Sequence, residues 1–144
     1  MNWKAEATEK LQRYDAMRLA TINIPEEIRR LEIDAKSIRA ARADATPVKG
    51  GGSKREDAIL NNIVQRQELS RNLRQAEIWV QVTDRALTAL TGEDRLILHR
   101  LYLHPERGAM ARLSEELGVD PSNIYRRRDR ALRRFTLAYY GIEE

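Results

Sequence analysis

Between Arg55 and Leu90 the chain holds no glycine and no proline. An unbroken stretch of that length favours one long helix. Its apolar residues support this, because Ile59, Leu69, Leu73, Ala76, Val80, Leu87 and Leu90 fall on a single heptad seam. Asn62, Arg66 and Thr83 are the polar members of the same seam. Such a helix is about 54 Å long at 1.5 Å per residue, and it cannot bury its seam alone. Two shorter patterns precede it. Trp3, Ala7, Leu11, Tyr14 and Met17 recur at helical steps up to about Ala20, and Ile28, Leu31, Ala35 and Ile38 continue the spacing after Pro25. Pro25 is expected to interrupt the first helix and open the second, with Glu26 and Glu27 in the favourable first turn. End to end, these two helices match the long one. The expectation is an antiparallel helical hairpin or coiled coil, or the same pairing made between the subunits of a homodimer. Trp79 lies beside the seam and reads as a packing residue.

Thr46-Pro47-Val48-Lys49-Gly50-Gly51-Gly52-Ser53 reads as the loop that joins the two arms. It is not a phosphate-binding loop: Gly52-Ser53-Lys54 reverses the order that such a loop needs, and no strand pattern precedes it. Composition agrees with an all-α protein. Of 144 residues only 7 are Gly and 4 Pro, while 33% are charged and 42% hydrophobic. The absence of cysteine excludes a disulfide scaffold, thiolate zinc sites and a cysteine nucleophile, and fits a reducing compartment. No apolar signal core opens the chain and no run approaches a membrane span, so a cytoplasmic protein without membrane contact is expected. His99 and His104, five apart across a helix end, make a poor metal pair. Glu115 and Glu116 are adjacent and diverge on a helix, so they form no acid–base pair. No enzyme activity and no cofactor are expected.

The last third has shorter elements. Thr91-Gly92-Glu93-Asp94 resembles a capping box, with Thr91 as N-cap and Asp94 at the third helical position. A short amphipathic helix follows through Leu96, Ile97, Leu101 and Tyr102 and ends near His104-Pro105. Met110, Leu113, Leu117 and Val119 line a second, and Gly118 is placed to end it in a left-handed conformation. Asp120 and Pro121 then read as the cap and first residue of a final helix that stops at Gly141.

Ser114, Gly118 and Ile124 have the spacing of a helix-turn-helix: a small residue where the helices cross, a tight turn, and a return to the shared core. Within 121–135 there are six arginines against Asp129, a local charge of +5, whereas the whole chain carries +4. The positive charge is therefore confined to the second helix of the motif, as attraction to phosphates requires. At about 100° per residue, Ile124, Ala131, Leu132 and Phe135 point inward, and Ser122, Arg126, Arg130 and Arg133 outward. Ser122 and Arg126 are the candidate base-contacting residues. Asn123, Tyr125, Arg127, Arg130, Arg133 and Arg134 are the candidate flanking or backbone-contacting ones. Arg128 falls on the apolar side, where its stem can snorkel or its head can pair with an acid from the N-terminal part.

Leu90 to Phe135 resembles region 4 of sigma-70-type RNA polymerase sigma factors. The resemblance rests on Leu90-Thr91-Gly92-Glu93-Asp94-Arg95-Leu96-Ile97-Leu98, then Leu117-Gly118-Val119 and Ile124, and the ending Arg130-Ala131-Leu132-Arg133-Arg134-Phe135. It implies a module that reads promoter-like double-stranded DNA, with Ser122 and Arg126 at base-contacting positions and Asn123, Tyr125 and Arg130 at backbone-contacting ones. No segment resembles sigma region 2, and Ala109-Met110-Ala111-Arg112 stands where the family has a Thr-Leu-x-Glu opening. A helical half joined to one such module looks like phage and prophage transcriptional regulators of the ArpU and RinA type. That resemblance implies bacterial RNA polymerase as a partner and a bacterial host cytoplasm. The expected organisation is a helical hairpin over 1–89 for oligomerisation or partner binding, and a DNA-binding helix-turn-helix domain over 90–144. A small terminase-like DNA-packaging subunit and a helical protein-interaction adaptor share many of these features.

Overall fold

The computed structural model describes residues 1–44 and 51–143, with side chains for 1–41 and 54–143. All elements among them are helical and none is a strand. They are α1 (Trp3–Gln12), α2 (Tyr14–Asp44), α3 (Gly51–Thr88), α4 (Gly92–Leu98), a π-helical turn (His99–Leu103), α5 (Ala109–Leu117) and α6 (Pro121–Tyr140). No helix is long and apolar enough to cross a membrane among the described residues.

The first helical break is not at Pro25. Arg13 separates α1 from α2, and Pro25 lies inside α2. The reason is phase. Met17, Thr21, Ile24, Ile28, Leu31, Ala35 and Ile38 step by 3 and 4 without interruption, and all are buried or half-buried. A kink that rotated the helix at Pro25 would throw the later half of this stripe out of register, so burial outweighs the missing N–H. The glycine run also differs from expectation. Thr46 to Gly50 lie outside the described residues, but Gly51 and Gly52 belong to the first turn of α3. A first turn is an end, where glycine is tolerated better than in the interior.

The chain divides into two compact units, Met1–Arg18 with Ile78–Glu144, and Leu19–Glu77. This division differs from a boundary at 89/90. Ala7 and Leu11 of α1 are buried in one cluster with Ala86, Leu90, Leu98, Leu103, Ala131, Leu132 and Phe135. The N-terminal turns and the end of α3 thus share a core with the C-terminal helices. Polar contacts reinforce it: Trp79 Nε1 donates to the Lys10 carbonyl (3.0 Å), and Tyr14 Oη donates to Asp84 Oδ1 (2.6 Å). Lys10 Nζ also sits 3.8 Å from the centre of the Trp79 ring, so Trp79 is a packing residue with a polar anchor.

In the other unit the seam positions Leu31, Ala35, Asn62 and Ala76 are buried. Asn62 Nδ2 donates to the Leu31 carbonyl (2.8 Å), and its Oδ1 accepts from Arg66 Nε (2.8 Å). Arg55 Nη1 reaches the Ala41 carbonyl (3.4 Å). Higher positions on α2 therefore meet lower positions on α3. Two of the seam's polar members, Asn62 and Arg66, use their hydrogen-bonding groups on each other and on the opposing backbone.

The two histidines, five apart, come together at the end of the helix. The π-helical turn lets the His104 N–H reach the His99 carbonyl (2.8 Å), and the two rings lie 4.6 Å apart. His104 Nδ1 pairs with Asp15. Burial pushes the His99 pKa down, and the neighbouring His104 adds to the shift.

Candidate nucleic-acid interface

A three-residue turn, Gly118 to Asp120, joins α5 to α6. Gly118 takes φ +65°, a left-handed conformation open to glycine at little cost. The turn is closed by backbone bonds from Gly118 N to the Glu115 carbonyl (3.3 Å) and from Val119 N to the Ser114 carbonyl (3.1 Å). Ser114 does more than leave room for a helix crossing: its hydroxyl donates to the Val119 carbonyl. Asp120 stands at the N-cap of α6, but its side chain makes no capping bond. Its carbonyl accepts from the N–H groups of Asn123 (2.9 Å) and Ile124 (3.2 Å), and Pro121 at the first position has no N–H to satisfy.

Below the turn, Ile97 of α4, Leu113 of α5 and Ile124 of α6 are fully buried in one cluster. Further along α6, Ala131, Leu132, Phe135 and Thr136 are buried, and the Thr136 hydroxyl returns to the Leu132 carbonyl (2.6 Å). These contacts set the rotation of α6. The opposite face carries Ser122, Arg126, Arg130 and Arg133, all exposed. The inward and outward sets are those expected from the helical spacing.

The six arginines divide evenly. Arg126, Arg130 and Arg133 have no hydrogen-bond or ion-pair partner among the described residues. They occupy one line along α6 at steps of four and three. The other three are engaged. Arg127 Nη1 donates to Glu93 Oε1 and Arg127 Nε to Asn123 Oδ1 (2.9 Å). Arg134 Nη1 donates to Asp94 Oδ2 (2.6 Å). Arg128 lies against Asp129 (3.2 Å) and over the Tyr125 ring (5.0 Å), and Asp129 also meets Lys4 of α1 at 3.6 Å. Arg128 on the apolar side is thus satisfied by its own neighbour rather than by a distant acid. Tyr125 remains 49% exposed beside the free arginines.

Glu93 and Asp94 are functional-site neighbours that the sequence reading placed only in a cap. Thr91 Oγ1 does accept from Asp94 N (3.2 Å). The return half of a capping box is not made: the Asp94 carboxylate is 1% exposed and turns to Arg134. A signal for this existed in the sequence, because Arg127 and Arg134 are seven apart and share one flank of a helix.

Together these features form a basic helix face with a fixed orientation. It offers three uncommitted guanidinium groups, a hydroxyl at Ser122 and an aromatic ring at Tyr125. Arginines so presented can pair with phosphate or with the edge of guanine. Comparison of the chain with family models, curated proteins and solved structures finds no match.

Proposed function

We propose that this chain is a sequence-specific DNA-binding transcriptional regulator of phage or prophage genes, acting in the cytoplasm of a bacterial host. The observation that carries the reading is the line of Arg126, Arg130 and Arg133, exposed and without a partner among the described residues, on a helix whose opposite face buries Ile124, Ala131, Leu132 and Phe135. Hydrated cations in such a line repel one another by only a few tenths of a kcal/mol, so they stay available to the phosphates of a duplex backbone. In this reading α5, the turn and α6 act as a helix-turn-helix with α6 in the major groove.

Ser122 and Arg126, in the first turns, meet base edges, and Arg130 and Arg133 meet phosphates. Asn123 and Tyr125 flank them. Arg127 and Arg134 are turned to Glu93 and Asp94 and support the helix. The paired long helices form a hairpin that serves self-association as a homodimer or spaces the DNA-binding module from a partner. The resemblance to sigma region 4 makes RNA polymerase that partner.

Selection of bound sequences from a random duplex pool, followed by titration, tests the reading. Arg126→Ala should relax the preference at one base pair, costing about 1–3 kcal/mol there. Arg130→Ala should weaken all sequences alike and flatten the slope of log affinity against log salt by about 0.9. Equal binding of every duplex by both variants and the wild type would overturn the assignment of this face.

A further inference from the structure

The Glu93–Arg127 and Asp94–Arg134 pairs are unequal. Asp94 is buried, so Arg134 is held as part of the core boundary. Glu93 and Arg127 lie nearer to solvent, with side chains 36% and 24% exposed. On α6, Arg127 sits about 100° round from Arg126, the next residue, and its flexible stem can bring the guanidinium to the edge of the free arginine line. A phosphate arriving along that line therefore competes with Glu93 for Arg127. The competition is between two anions in a partly hydrated site, so its outcome depends on charge more than on packing.

We propose that Glu93 is a charge brake on this interface: it holds Arg127 away from the phosphate backbone and so limits sequence-blind affinity. The inference rests on the DNA-binding reading above and adds a regulation of the same site. Each phosphate contact strengthens binding to every sequence without carrying information about any of them. Withholding one arginine shortens the protein's hold on wrong sequences while leaving Arg126 and Ser122 free to read bases.

The test is fluorescence anisotropy with the full chain and a labelled duplex of about 20 base pairs of arbitrary sequence, titrated between roughly 50 and 200 mM NaCl. On a duplex of arbitrary sequence, which gives Arg126 no cognate base and leaves it on the backbone beside Arg130 and Arg133, the wild type engages three phosphates and should show a slope near −2.7, about 0.9 for each contact. Glu93→Gln should steepen it to near −3.6, so the loss of affinity across that salt range becomes about threefold larger than in wild type. Adding Arg127→Gln to the Glu93→Gln variant should remove the extra steepness. Glu93→Ala, which empties the same position, should behave as Glu93→Gln does, and thermal melts establish that each variant is folded.

A Glu93→Gln slope equal to that of wild type overturns the brake. So does extra steepness that survives loss of Arg127, since it would then come from the removed negative charge alone. Failure of the wild type to bind any duplex overturns the DNA-binding reading and the brake with it. That failure shows in the wild type and not in the variants, so the two are distinguishable.

Discussion

Single residues in this protein are best understood by what their removal leaves behind. The Asp94–Arg134 pair has one buried and one half-exposed end, at 1% and 47%. Asp94 Oδ1 has no hydrogen-bond partner among the described residues, so the carboxylate depends on Arg134 and the nearby helix start. Arg134→Ala strands a buried negative charge and should cost about 3 kcal/mol. Asp94→Ala leaves a guanidinium that can turn to water and should cost about 1 kcal/mol. Urea unfolding of the two variants measures the asymmetry, and equal losses would mean that the pair is solvated at both ends. Arg134 illustrates what helical spacing can and cannot decide. The spacing put it near the exposed side of a basic helix, but the acid it meets lies forty residues earlier in the chain, and only the packing of α4 on α6 brings them together.

At the scale of elements, α2 shows how a local rule yields to a longer one. Proline in a helix interior removes a hydrogen bond and crowds the preceding turn, at a cost near 3 kcal/mol relative to alanine. The stripe from Met17 to Ile38 stays in phase across Pro25 and is buried or half-buried along its whole length. Because the helix already passes through this position, Pro25→Ala should stabilise the protein by about 1–3 kcal/mol. Raised thermal midpoints with increased helical circular dichroism are the expected readout. A loss of stability would mean that α2 needs a proline-imposed bend. The in-phase stripe was legible in the sequence, since Thr21 and Ile24 complete the 3-and-4 spacing between Met17 and Ile28. The turn before α6 was more legible still, because Gly118 and Pro121 each demand one backbone geometry that no distant contact has to supply. A side-chain cap at Asp120, which its residue type suggests, is not made, because a cap bond needs the carboxylate turned to the helix N–H groups and the residue type alone does not fix that rotation.

At the scale of the molecule, both ends of the chain build one core, and tyrosines report on it. Tyr14, Tyr102, Tyr139 and Tyr140 all belong to the unit formed by residues 1–18 and 78–144. Burial raises the pKa of each. For Tyr14 the hydrogen bond to Asp84 adds to burial and the value reaches about 12, and Tyr140 is likewise pushed to about 12. A phenol with a raised folded pKa contributes stability that is fully present below its unfolded value near 10. That contribution declines as pH rises from about 10 and is gone above about 12. Urea midpoints should therefore fall between those pH values, together with phenolate absorbance that titrates later in the folded protein than in the unfolded one. Unchanged midpoints up to pH of about 11.5, with phenolates appearing near 10, would place these rings in water.

Much was decided by local order alone: the all-helical class, the heptad seam of α3, the short helices after Thr91, and the inward and outward faces of α6. Periodicity, capping residues and backbone-restricting glycine and proline act over one to three turns, so their consequences can be read without knowing what lies opposite. The tertiary structure decided what depends on distant partners. It joined α1 and the end of α3 to the C-terminal core, carried α2 through Pro25, and brought Asp15 to His104. Above all it divided the arginines of α6. A run of six like charges states how much positive charge a helix has. Asp129 on α6 itself engages Arg128, and which of the other charges remain free is set by Glu93 and Asp94, the acids that folding carries to its flank.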